Sequence, residues 1–295
     1  MKRIIFTLAL MAFVLYSSSQ DNFVCVEKVG TLDSLLNALS LKDATQLTVS
    51  GELNGSDIKT LRYMLGGRYM ASLEEHSGKL ETLDLTGAVI RAGGDAYLFL
   101  ESSSKPDPRM YTSDNTIGDM MFWDCIHLKE LSLPLSITAI GRGAFQECVS
   151  LKSMKIPTGV STIDYGMFWG CHSLESVTLP SSLTYVDNYV IEECPNMKSL
   201  KCSSQEPPKC EDKSFNEVEG ITLYVPVGSK EKYQSAAGWS VFAAIIEDNS
   251  LGIKNNHNPS ASFKAQPYYD LQGRRLHDKP AKGIYIQDGR KFVVR

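Results

Sequence analysis

The stretch "AFQECVSLKSMKIP", Ala144 to Pro157, decides the fold because it is one of a series. "MFWDCIHLKELSLP" precedes it and "MFWGCHSLESVTLP" follows it. Cys125, Cys148, Cys171 and Cys194 are separated by 23 residues each time. The other positions fall into the same register. Ile117, Ile140, Ile163 and Val186 open the units; Phe122, Phe145, Phe168 and Ile191 follow; Leu131, Met154, Val177 and Leu200 come after the cysteines. A fixed period inside the window of about 20 to 29 residues marks a solenoid built from one supersecondary unit per repeat.

Each position has a mechanical reading. The "LxL" of Leu131 and Leu133 alternates inward apolar with outward polar residues, which predicts a short half-buried strand. Pro134, Pro157 and Pro180 have no N–H for a ladder and end that strand. Ile137 and Ile140 return a second apolar edge, and Gly118, Gly141, Asp164 and Asp187 suit a turn or a helix N-cap. Phe122 and Cys125 lie three apart, so one helical turn points both inward, with the cysteine a small apolar filler stacked on that of the next coil. Stacked strands sit about 4.8 Å apart with parallel side chains, so these four cysteines read as free thiols. Cys25, Cys202 and Cys210 are less constrained, and a local Cys202–Cys210 bridge stays open.

Outside the repeats, Leu47 to Leu65 reads as a strand, an Asn-Gly turn and an amphipathic helix starting near Ser56. "LETLDL" at Leu80 to Leu85 repeats the strand pattern 48 residues before Leu128, so a longer irregular unit intervenes, with an insertion from about Gly93 to Asn115. Ile221 to Glu247 reads as a strand stopped by Pro226 and a helix ending near Trp239 and Phe242, the atypical end a stacked array needs. The domain reading is a leader over 1–19, an N-terminal cap over 20–79, repeats with their C-terminal cap over 80–247, a polar linker over 248–266 and a β tail over 267–295. In that tail, two strands flank Asp288-Gly289, a hairpin signal.

The leader assignment rests on Lys2-Arg3, the apolar run from Ile4 to Tyr16 and the small residues Ser17 to Ser19, the order of a secretory signal cut near Gln20. The run is shorter than the roughly 20 residues of a membrane span, and no later segment is long and apolar enough, so a cleaved, exported chain without a transmembrane span is expected. The net charge is −4; the tail's +4 and the leader's +2 leave the body between them at −10, which argues against nucleic acid as partner.

The unit "IGRGAFQECVSLKSMKIPTGVSTI" resembles the BspA-like leucine-rich repeats of exported bacterial proteins, over roughly Leu47 to Glu247. The tail from Tyr268 looks like the short C-terminal segment common on exported proteins of Bacteroides-type bacteria, and is similar to, but shorter than, the sorting domains of type IX secretion substrates. The fourth unit departs from the pattern, with Pro195 after its cysteine and Ser203 where proline is expected. The resemblance implies an α/β solenoid, a leucine-rich repeat horseshoe of 23-residue units with short strands and helical turns, strand-helix caps and a small C-terminal β-hairpin tail. It implies a secreted or surface protein, a role in adhesion to host matrix proteins or other bacteria, and no catalytic residue or cofactor.

The outward strand residues form rows that offer a broad face. Lys129, Lys152, Lys155, Lys198, Lys201 and Thr178 are the candidate binding face, a basic and hydroxyl-rich stripe suited to orienting an acidic partner. Solubility alone also asks for polar residues there. Trp123 and Trp169, at one offset two units apart, are candidate aromatic contacts. Tyr97 and Tyr111 mark the insertion as a third candidate. The expected partner is an extracellular protein, including host matrix proteins; a surface glycan or a scaffold role is the alternative. An acyl-transfer enzyme finds little support: Ser56-x-x-Lys59 and Ser113-Asp114-Asn115 match two of its motifs, but no KTG follows and helix capping explains Ser56. His76, His127, His172, His257 and His277 show no metal spacing. Oligomeric state stays open.

Overall fold

The structure is a computed structural model that describes residues 22–67, 78–99 and 107–251, and the backbone of short strands between 268 and 294. The chain divides into two units, Met1–Gly252 and Ile253–Arg295.

In the first unit the strands stack in parallel. Phe23–Val26, Gln46–Leu53, Thr82–Asp84 and Glu130–Ser132 form one run, and Ser153–Lys155, Ser176–Leu179, Ser199–Cys202, Thr222–Pro226 and Ala244–Asp248 form another. A backbone bond from Lys152 N–H to Lys129 O at 3.1 Å links the two runs. The alternation read in the sequence sets the burial: Leu131, Met154, Val177, Leu200 and Leu223 point inward and are buried. Leu83 pairs with Leu131 although 48 residues separate them, so one long coil, containing the Ala88–Ile90 strand and the insertion, replaces two regular ones. Short return strands at Thr116–Ile117, Ala139–Ile140, Thr162–Ile163, Tyr185–Val186 and Lys209–Cys210 bury the second apolar edge.

The corner of each coil differs from the expected helical turn. The N–H groups of Met120, Phe122 and Asp124 donate to the carbonyls of Arg142, Ala144 and Gln146 in the next coil, at 2.9, 2.8 and 2.8 Å. Those of Met121, Trp123 and Cys125 bond three residues back, at 3.2, 3.0 and 3.3 Å. Met120 and Asp124 hold φ of 53° and 55°, and their equivalents Gly143, Glu147, Gly166, Gly170, Tyr189 and Glu193 are also left-handed. A right-handed helix cannot run through such residues, so alternate amides turn sideways and the corners stack as a ladder. Among the described residues, α-helix occurs only toward the two ends of this unit: Leu32–Ala38, Gly55–Met64 and Lys230–Ser235.

Inside the corners the repeat positions lie one above another. Phe122 stacks on Phe145 with centroids 5.9 Å apart at 8°, and Phe145 on Phe168 at 5.6 Å and 13°. Cysteine does more than fill space: Cys148, Cys171 and Cys194 thiols donate to the carbonyls of Phe122, Phe145 and Phe168 in the preceding coil, at 3.0, 3.1 and 3.1 Å. All seven cysteines are free; Cys202 is buried and receives the Tyr233 hydroxyl at 3.2 Å rather than pairing with Cys210.

Two ends close this core. The Gly55–Met64 helix is capped by Asn54, whose side chain accepts the Ser56 N–H at 3.1 Å, so Asn54 and not Ser56 is the cap. The buried Asp57 carboxylate accepts N–H bonds from Asn54, Gly30 and Leu32 at 3.0, 2.7 and 2.9 Å, tying the preceding loop to the helix. Buried Arg62 donates to the Met121 carbonyl at 2.8 Å and so joins the cap to the first corner. At the far end, the helix stops at Ser235, earlier than expected, and Trp239 and Phe242 sit in a turn before one more strand, Ala244–Asp248. Trp239 is fully buried; its indole N–H donates to Pro208 O at 2.7 Å, and its ring packs on Phe215 and Tyr233 at 4.9 and 5.1 Å.

In the second unit, strands Tyr268–Tyr269, Arg275–Leu276, Gly283–Gln287 and Arg290–Val294 form an antiparallel sheet. Gly283–Gln287 pairs with Arg290–Val294, Gln287 opposite Arg290, on either side of the Asp288-Gly289 signal. The leader expected over 1–19 and His76, His257 and His277 lie outside the described residues.

Candidate functional site

Parallel register brings the outward residues into rows. Ser153, Ser176, Ser199 and Thr222 are neighbours across four strands, and Lys155, Thr178, Lys201 and Tyr224 form the adjacent row. The lysines are interleaved with carboxylates. Lys129 pairs with Glu81 at 2.7 Å, Lys198 with Glu175 at 2.6 Å, and Lys201 with Asp248 at 3.5 Å. The Lys198 hydrogen bond, with Lys152 adding its charge, holds the Glu175 carboxyl below the usual carboxylate range. Lys201 also lies 5.4 Å from the Tyr224 ring centroid, and Thr178 is half-buried between Lys155 and Lys201. Lys152 and Lys155 are exposed and make no ion pair among the described residues. Of the predicted basic stripe, then, these two are the lysines not held in an ion pair, and Lys155 stands farther from compensation than Lys152, whose charge reaches Glu175.

The aromatic candidates separate. Trp123 is half-buried against the core. Trp169 is half-buried too, but it belongs to a cluster with Tyr165 and Tyr189, at 6.5 and 5.8 Å, and Tyr165 meets Tyr189 edge-on at 5.4 Å. Tyr97 is not a surface contact: it is fully buried, its hydroxyl 2.7 Å from Asp119 O and 2.9 Å from Arg109 O, and burial pushes its phenol up. Tyr111 alone of that pair is exposed, at 40%.

Sequence reasoning missed a second feature, on the corner flank rather than the strand face. It involves Asp119, Arg142 and Tyr165, each one position after the turn column of Gly118, Gly141 and Asp164. The structure sets them around a cleft of about 260 Å³, with Arg109, Met120 and Gln146. The Arg142 guanidinium lies over the Tyr165 ring, 4.9 Å from its centroid, and Lys213 stands 5.6 Å from that of Tyr189. Along the same flank Asp164 is half-buried; burial and the like charges of Asp187 and Asp119 push its carboxyl up, while Arg142 pulls it down. The available signal was the 23-residue column Asp119, Arg142, Tyr165, Asn188, which changes character at every unit where the core columns do not.

The Ser56 hydroxyl accepts the Asp95 N–H at 3.0 Å, a structural role at the insertion. Among the described residues no group of three or more His, Cys, Asp or Glu is placed to hold a metal ion, and no helix is long and apolar enough to cross a membrane.

Stacked coils of one period, each with a parallel strand and a buried leucine-type ladder, define a leucine-rich repeat protein. The family described as BspA type leucine rich repeat region, in 6 copies, matches residues 97–230, so the repeat array is of the BspA type. Similar solved structures include a leucine rich cell surface protein from Faecalibacterium prausnitzii A2-165, at 16% identity and TM-score 0.34, covering 62% of this chain and 32% of that one. A leucine-rich repeat protein from Bacteroides ovatus ATCC 8483 matches at 15% identity and TM-score 0.33, covering 72% and 57%. The pneumococcal vaccine antigen PcpA matches at 15% identity and TM-score 0.35, covering 79% and 61%. The chain thus spans less than two thirds of each of these. No curated protein matches the sequence.

Proposed function

We propose that this is a non-catalytic protein of the bacterial surface or secretome, exported by its N-terminal leader, which binds host matrix or partner-cell proteins through the outward strand face of a curved solenoid. The observation that carries the reading is the flat register of that face. Rows of hydroxyl and lysine residues, ending in Thr222 and Tyr224, repeat at strand spacing over four parallel strands, and Lys152 and Lys155 stand exposed with no ion pair among the described residues. A wide polar wall suits a protein surface better than a small substrate, and charges on it mainly govern encounter rate and orientation. The BspA-type repeats support this reading.

The experiment is a binding panel of immobilised matrix proteins, probed with the exported chain and with the K152E/K155E/K201E variant. The variant is expected to bind a verified ligand at least tenfold more weakly, chiefly through slower association, and to show a weaker salt dependence. Undiminished binding by the variant removes the strand face from consideration.

A further inference from the structure

We infer that the corner flank carries a separate binding site for a carboxylate-bearing sugar, with Arg142 reading the acid group and Asp119 reading ring hydroxyls. This site lies on the column after the return strands, not on the strand rows, so it stands or falls independently of the function proposed above.

Arg142 is exposed, and its guanidinium makes no ion pair among the described residues. The guanidinium lies over the face of Tyr165, 4.9 Å from the ring centroid, and its charge also reaches Asp164. Tyr165 in turn is held edge-on by Tyr189 at 5.4 Å, with Trp169 closing the cluster at 6.5 Å. A guanidinium stacked on a fixed ring loses little freedom when its donor edge takes a carboxylate, and such fork-to-carboxylate pairs are charge-assisted and directional.

The rest of the cleft limits what that carboxylate can be attached to. Arg109 is already committed, bidentate on Asp107 with its closest contact at 2.7 Å. Asp119 keeps acceptor capacity: its Oδ1 takes the Arg142 N–H at 3.0 Å, while Oδ2 lies 3.9 Å from the Arg109 Nη1, beyond hydrogen-bond reach. A bare carboxylate entering here would face Asp119 with nothing to donate and would be repelled. A polyhydroxy acid brings donors for Asp119 and Gln146 together with its acid for Arg142. Met120, half-buried in the same cleft, presents an apolar surface to the C–H face of a ring. At about 260 Å³ the cleft sits just under the roughly 300–1,000 Å³ of ordinary ligand sites, room for one ring and not for a long chain.

The test titrates D-glucuronate, D-glucose and propionate into the exported chain by calorimetry, with the Arg142 side-chain N–H followed by NMR. Glucuronate is expected to bind in the millimolar range and to shift that resonance, and the other two at least tenfold more weakly. Arg142→Ala and Tyr165→Ala should each weaken glucuronate at least tenfold, with K152E/K155E unchanged. Arg142 is a surface residue, so unaltered thermal unfolding of its variant separates lost binding from lost fold. Equal binding of glucose overturns the role of the acid, and equal binding of propionate overturns the sugar. Undiminished binding by Arg142→Ala, or no binding of glucuronate, overturns the site.

Discussion

The cysteine of each unit shows how one side chain meets two demands at once. It must be small enough to fit under a stacked phenylalanine, and it lies against a carbonyl that accepts a hydrogen bond. Burial pushes the Cys148 and Cys171 thiols well up, and those of Cys125 and Cys194 to about 11 and about 12. The sulfurs therefore stay protonated at neutral pH, and each S–H donates a hydrogen bond to the carbonyl of Phe122, Phe145 or Phe168. The thiolate is the nucleophile, so a raised thiol is inert as well as shielded. With a maleimide at about pH 7.5 on the folded chain, Cys25 on its exposed strand should label quickly and Cys148 and Cys171 only after unfolding in denaturant. Peptide mapping by mass spectrometry reads this directly, and rapid native labelling of Cys171 would contradict the packing. Spacing alone located these cysteines and their inward direction; the thiol donor was not legible, because a hydrogen bond to a backbone carbonyl leaves no pattern in side-chain identity.

At the scale of the element, strands were readable and corners were not. "LxL" followed by proline carries both the alternation and the stop, so Leu131, Met154 and Val177 lie where the sequence puts them. The corner looked helical because Phe122 and Cys125 do share a face, and a three-residue spacing is common to a helix and to a chain of tight turns. What separates the two is backbone handedness, and it is written in residues that hide it: one left-handed column reads Met120, Gly143, Gly166, Tyr189 and the other Asp124, Glu147, Gly170, Glu193. Glycine appears in only part of each, since the inter-coil ladder holds the other residues in a conformation that costs them roughly 1–2 kcal/mol. Two substitutions in one column follow from this. Glu193→Gly, at φ 54° on the surface, should raise stability by up to ~1 kcal/mol, the relieved strain exceeding the entropy that glycine loses. Gly170→Ala, at φ 74° with its new Cβ 2.8 Å from the Glu147 carboxylate, should lower it by about 1–2 kcal/mol. Urea melts of the two variants check the pair, and opposite signs are the diagnostic.

For the molecule as a whole, what matters is that each coil is covered by its neighbours and the last ones need covers of another kind. The sequence announced an array and atypical ends, but it hid the closing strand Ala244–Asp248, whose "AIIED" has no clean alternation because Ile246 faces solvent on an edge strand. It likewise hid the corner cleft, which exists only where three successive coils bring Asp119, Arg142 and Tyr165 side by side. In a stack with nearest-neighbour contacts only, damage at one end should propagate by distance along the array and not spread evenly. Trp239 is the place to apply it. The ring is fully buried among Phe215, Tyr233 and Phe242, and Trp→Ala in such a setting costs about 3–5 kcal/mol. In Trp239→Ala, amide hydrogen exchange should therefore quicken most in Ala244–Asp248 and Thr222–Pro226, less in Ser199–Cys202, and least in Glu130–Ser132 and Gln46–Leu53. The far strands keep their protection because the Asp57 and Arg62 anchors of the other cap are untouched. A uniform loss across all strands would mean that the unit unfolds as a single cooperative body, and that its ends do not act as separate covers.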